Sequence, residues 1–162
     1  MKYFKNIETL EDLKKEYKKQ ALKLHPDLNM AKDTTKDFQE MQNEYEKVFN
    51  IVKNIRRNEK GEKYTTETTE TMEEFKDVID KIIHFKNVNI EIIGSWIWLT
   101  GDTKTYKDTI KELGFRWSKN KIAWYYHKEK FRKRSNKLFT LDDIREKFGS
   151  EKVQNTYQYE LA

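Results

Sequence analysis

Pro26 is the only proline in 162 residues, and it bounds what the first third of the chain can form. Proline lacks an amide proton and disfavours the α conformation in the residue before it. A helix that reaches His25 must therefore stop there. Leu10, Leu13, Tyr17, Ala21 and Leu24 fall at helical spacing ahead of it, and Thr9 followed by Asp12 is a shortened capping box at the start. Lys14, Lys15, Lys18, Lys19 and Lys23 occupy much of the remaining surface. Beyond the proline, Phe38, Met41, Tyr45, Val48, Phe49 and Val52 predict a second amphipathic helix, with Ile51 to Arg57 continuing it. Two such helices on a short loop pack antiparallel with their apolar stripes facing. The prediction for residues 1–57 is a helical hairpin with His25-Pro26-Asp27 at its tip.

Residues 58–71 have one tyrosine and no other sizeable apolar group, so they read as a linker. A different pattern follows. Met72, Phe75, Ile79, Ile82 and Ile83 recur at helical spacing to about Phe85. Val88 to Ile93 and Trp96 to Thr100 are β-type runs separated by Gly94-Ser95, a loop of the type II′ hairpin kind. Tyr106, Ile110 and Leu113 mark a short helix, with Asp102 or Thr103 as its expected cap and Gly114 as its end. Phe115 and Trp117, then Ile122, Trp124 and Tyr126, read as a second hairpin. A last helix is expected from Thr140 to Phe148. The fold class is α+β: the N-terminal hairpin, then an α-β-β-α-β-β domain with an antiparallel sheet over 72–138, and a C-terminal helix and tail over 139–162.

Chemistry is constrained by what is missing. No cysteine is present, which excludes a disulfide framework, a thiol nucleophile and thiolate metal sites. His25, His84 and His127 lack metal-ligand spacing, so no metal or cofactor is expected. No nucleophile elbow, phosphate-binding glycine loop or dinucleotide fingerprint occurs, and no enzyme is expected. His84 and His127 read as ordinary helix or edge-strand residues. The N-terminus turns charged at once, and Ile90 to Leu99 is too short to span a bilayer. A cytosolic protein without a membrane partner is the expectation.

The N-terminal residues resemble the J-domain, the Hsp70-stimulating module of DnaJ-type co-chaperones. The likeness lies in Tyr3-Phe4, Leu13, Tyr17-Lys18-Lys19, Ala21-Leu22-Lys23-Leu24, His25-Pro26-Asp27, and Phe38, Met41 and Tyr45. It covers about residues 3–50. The resemblance implies that Lys14, Lys15, Lys18, Lys19 and Lys23 meet an acidic surface of a DnaK-type Hsp70. It also implies that Asp27 pairs with an arginine of the chaperone, Pro26 fixing the loop and His25 orienting it. The chain departs from the family in two places. Gln20 replaces a large apolar residue, and the basic fourth helix is not recognisable. No Gly/Phe-rich or zinc-binding repeat follows, so the likeness is to a minimal J-protein whose C-terminal module chooses the client.

Gly114-Phe115-Arg116-Trp117 with Ala123-Trp124-Tyr125-Tyr126 resembles a small module of phage and mobile-element proteins. Its tryptophan pair and helix–hairpin order are also similar to the HARP domain of annealing helicases, which contacts DNA. Residues 114–138 hold nine basic side chains and one acidic one. Arg116, Lys119, Lys121, Tyr125, Lys128, Lys130, Arg132, Lys133 and Arg134 are the candidate contacts to DNA or RNA: cations for phosphates, rings for bases. The other use of the tryptophans is to fill the core of a small sheet. Two functions follow: a co-chaperone that stimulates Hsp70 ATP hydrolysis and delivers a client, or a nucleic-acid-binding or host-interfering protein that keeps the J-like hairpin as scaffold.

Overall fold

The computed structural model describes residues 1–128, 139–148 and 150–154. The first helix, α1 (Leu10–Leu24), begins at the anticipated capping box. The Thr9 hydroxyl accepts from the Asp12 amide, and the Asp12 carboxylate accepts from the Thr9 amide. His25 is extended (φ −60°, ψ 125°), as a residue before proline should be, and Pro26–Leu28 form a single 3-10 turn. The return helix is α2 (Thr35–Val52). Tyr17 and Tyr45 meet at 4.6 Å between ring centres in the middle of the pair, and Leu10, Leu13, Ala21 and Met41 are sealed around them.

The second helix does not continue to Arg57. It ends at Val52, and β1 (Ile55–Arg57) pairs antiparallel with β2 (Lys63–Thr65). Both arginines turn back onto the start of α1. Arg56 is buried, donates to the Lys53 carbonyl and lies 3.8 Å from Glu11. Arg57 reaches Glu8 at 3.0 Å and Asp12 at 3.3 Å. The segment expected to be a linker is therefore half ribbon, half strap. Asn54 holds the strap by accepting from the amides of Thr66 and Thr68, and Glu70 at its end is buried.

The remainder follows the predicted order with one addition. It comprises α3 (Met72–Ile82), β3 (Val88–Ile93), β4 (Trp96–Gly101), α4 (Lys107–Glu112), β5 (Arg116–Ser118), β6 (Ala123–Tyr126), α5 (Leu141–Phe148) and β7 (Ser150–Gln154). All strands from β3 onward join one antiparallel sheet in the order β5-β6-β4-β3-β7. The addition is edge strand β7, which lies in the segment that the sequence reads as a C-terminal tail. Gly94 turns the β3–β4 hairpin at φ +59°, as expected for a glycine-first loop. Gly101 is needed for a different reason: a Cβ there would stand 2.5 Å from the Asn87 carbonyl. The helix α4 departs from expectation at its start. A 3-10 turn, Lys104–Tyr106, precedes it, and neither Asp102 nor Thr103 caps it. Thr140 and Asp143 do form the expected reciprocal cap on α5.

Strand alternation gives the sheet two different faces. Val88, Ile90 and Ile92 of β3, Ile97 and Leu99 of β4 and Trp124 of β6 share one core with Phe75, Ile79 and Ile82 of α3 and with the whole α1–α2 interior. The opposite face carries Ile93, Trp98 and Ala123, covered by Leu141 and Ile144 of α5. Arg145 of α5 closes on that face as a bidentate clasp of the buried Glu91 carboxylate, at 2.6 and 2.8 Å. The helical hairpin and the sheet domain thus share a single interior.

Candidate functional site

The tip between α1 and α2 is built from the proline outward. With φ fixed by Pro26, the His25 Nδ1 accepts the amide of Asp27 at 3.2 Å, and the His25 carbonyl accepts from the Leu28 amide and the Asn29 side chain at 3.0 Å each. Leu28 is buried and anchors the turn. The His25 ring meets Phe38 of α2 at 5.0 Å and His84 at 4.8 Å, both edge-on. Burial, helped by the neighbouring His84 and opposed by Asp27, lowers the His25 pKa below the ordinary histidine value. Asp27 projects outward, with its side chain 71% exposed.

His84 follows the end of α3, 57 residues from Asp27, and its Nε2 lies 3.2 Å from Asp27 Oδ2. It belongs to the site, although its sequence environment gave it no such role. Its spacing to His25 has no metal-site signature. Only the docking of α3 against α1 brings the rings together.

The five lysines of α1 do not form one solvent-facing surface, and this corrects the sequence reading. At 3.6 residues per turn they fall into two adjacent stripes. Lys14 and Lys18, in line with the buried Leu22, point into the sheet domain and are 2% and 1% exposed. Lys14 Nζ pairs with Glu70 at 2.7 Å, donates to the Ser95 carbonyl and lies 5.0 Å from the Phe75 ring centre. Lys18 Nζ donates to the Ile90 carbonyl at 3.0 Å. Their long apolar stems pass through the interface while the ammonium groups find acceptors beyond it. Lys15, Lys19 and Lys23 form the outer stripe: the first two are half-buried and Lys23 is exposed. Beside them Tyr17 donates to Asp80 of α3 at 3.0 Å. Burial pushes the Asp80 carboxyl up to about 6.

A helix ending on His25, a 3-10 turn carrying Pro26 and Asp27, and an antiparallel return helix make up the tip. Residues 4–56 match the family model of the DnaJ domain. This segment is a J-domain. The match covers a third of the chain. No curated protein and no solved structure matches the chain. The matched segment ends in β1, and the β1–β2 ribbon stands where the resemblance would place a fourth helix. Partners of J-domains are Hsp70-type chaperones.

The second group of predicted contacts is only partly described. Lys130, Arg132, Lys133 and Arg134 lie outside the described residues. Arg116, Lys119 and Lys128 are exposed, and Lys128 pairs with Glu74 of α3 at 3.2 Å. Lys121 Nζ sits 5.7 Å from the Trp98 ring centre. Tyr125 packs between Trp96 and Trp98, at 5.5 and 5.4 Å, and Trp96 stacks on His127 at 4.4 Å. These rings contact one another on the face that α5 covers, while Trp117 on the other face is 44% exposed. No helix among the described residues is long and apolar enough to cross a membrane.

Proposed function

We propose that this chain is a co-chaperone that stimulates ATP hydrolysis by an Hsp70 of the DnaK type through His25-Pro26-Asp27, and that its C-terminal sheet domain delivers the client. The observation that carries the reading is the outward-facing Asp27 carboxylate at the tip of a matched J-domain. A charge-assisted bond from an arginine to that carboxylate is worth roughly 1.5–3 kcal/mol. His84 is the intramolecular competitor. A single exposed contact is worth at most about 1 kcal/mol, so a chaperone arginine displaces it. The outer stripe of Lys15, Lys19 and Lys23 supplies the cationic approach surface, while Lys14 and Lys18 are left to the protein's own interior. The chain itself contributes no catalytic group; the hydrolytic chemistry is the partner's, and the complex is a cytosolic one.

Single-turnover ATP hydrolysis by bacterial-type Hsp70s tests the reading. The native chain accelerates hydrolysis, Asp27→Asn abolishes the acceleration, and added salt weakens it by screening the lysine stripe. His84→Ala keeps the acceleration or raises it, because the carboxylate loses its competitor. Absence of acceleration with several Hsp70s leaves the hairpin as scaffold. Binding of DNA or RNA through Arg116, Lys119 and Lys128, insensitive to Asp27→Asn, would then carry the nucleic-acid reading.

A further inference from the structure

We propose that His25, Asp27 and His84 form a binding site for a divalent transition-metal ion of the zinc class. One ligand atom from each residue lies within 4.8 Å of the other two. His84 Nε2 stands 3.2 Å and His25 Nδ1 3.9 Å from the same carboxylate oxygen, Asp27 Oδ2. Nitrogen and oxygen ligands about 2.0–2.2 Å from a tetrahedral ion lie roughly 3.3–3.5 Å apart. The two nitrogen–carboxylate distances are already within about half an ångström of that, and the two rings, within 4.8 Å of each other, close on the ion by side-chain rotation. The donor set is two imidazoles and one carboxylate. That set suits zinc, cobalt or nickel, and it is poor for magnesium and calcium, which take oxygen ligands.

The surroundings fit such an ion. His25 is fixed by Phe38 and by the bonds to its carbonyl, so its ring is already aimed at the cluster. Its Nδ1 exchanges the Asp27 amide for the metal. The exposed side of Asp27 leaves room for water at the remaining coordination position, which makes this an open three-ligand site. An ion held there ties the J-domain tip to the end of α3 and stabilises the folded chain by mass action. It also engages the carboxylate that the co-chaperone reading gives to the chaperone's arginine. That competition rests on the co-chaperone reading, whereas metal binding does not.

Isothermal titration of the full chain with zinc, in a non-chelating buffer near neutral pH, tests the site without any chaperone present. One ion binds per chain in the micromolar range and raises the melting temperature. His84→Gln and Asp27→Asn each weaken binding by about ten-fold or more and remove the thermal shift. His127→Gln, at the third histidine of the chain, changes neither, and excess magnesium does not compete. Circular dichroism of the metal-free variants verifies that they fold, since both altered side chains are partly exposed. Cobalt in place of zinc gives the visible absorption of a low-coordinate nitrogen–oxygen site in the native chain and loses it in His84→Gln. No saturation below millimolar zinc, or saturation unchanged in His84→Gln, overturns the proposal.

Discussion

Lys14 shows how much one position can alter when a second domain closes over it. On an isolated helix it would be a hydrated surface cation; here it is buried with Glu70 in a mutual ion pair. Removing one partner of such a pair leaves the other charge stranded, which costs roughly 3–5 kcal/mol. Lys14→Met should lower urea stability by that order, and Lys14→Met with Glu70→Leu should restore it to at least the native value. Asp80 makes a pH-dependent contribution. Its folded pKa, raised by burial to about 6 from 3.8, exceeds the unfolded value. Its contribution is therefore fully present below about pH 4 and is lost as the pH rises through 6. Tyr17 of α1 and Lys76, Asp77 and His84 around α3 are the titratable groups that bear on it. The difference corresponds to roughly 3 kcal/mol at most. Asp80→Asn keeps an acceptor for the Tyr17 hydroxyl and carries no charge. It should be more stable than the native chain at pH 7.5, with the gap closing below pH 4 in denaturation series. Ile122 is a third case: it is 73% exposed and β-branched, yet it holds φ +52° in the β5–β6 turn. The left-handed region costs such a residue about 1–2 kcal/mol. Ile122→Asn should raise the melting temperature.

Elements were legible where the sequence states both a face and an end. Thr9, Pro26 and the apolar spacing between them delimit α1, and Gly94 with its flanking β-branched and aromatic runs places the first sheet hairpin to within one residue at its far end. The second buried face of α1 was not legible. Lys14 and Lys18 look like solvent residues, and only Leu22 in the same stripe hints otherwise. The β1–β2 ribbon was hidden because Ile55 to Arg57 also fit a helical pattern, and its arginines need partners on α1 to choose. Strand β7 was hidden because its pairing partner, β3, lies more than fifty residues earlier. That strand completes the sheet by covering the β3 edge from Asn89 to Ile93. A chain ending at Gly149 would leave that edge unpaired, an open template for another molecule. Light scattering should show such a truncated chain self-associating where the full chain does not.

At the scale of the whole molecule, the tripeptide, the hairpin and the order of the sheet domain were readable, but the relation between the two halves was not. Charge patterning described two surfaces, each complete in itself; the structure gives one interior that runs from Phe4 to Trp124. A helical hairpin of this size buries only about 60% of its unfolded surface, and this one has Leu22, Lys14 and Lys18 roofed by the sheet domain. Unfolding should be a single cooperative transition, with far- and near-ultraviolet dichroism coinciding. A fragment of residues 1–71 should lack that transition altogether. Two separated transitions in the full chain would show instead that the halves fold independently.

The wedged position of α1 also bears on how such a chain can be rebuilt. Recombination usually trades modules at linkers, and here the obvious crossover between residues 58 and 71 would cut through the strap that carries Glu70. A foreign module spliced after residue 71 would inherit a J-domain whose Lys14 and Lys18 have lost the Ser95 and Ile90 carbonyls they donate to, and whose Leu22 has lost part of its apolar surroundings. Grafting therefore has to transfer α1's inner stripe together with α3 and β3, or redesign all three at once.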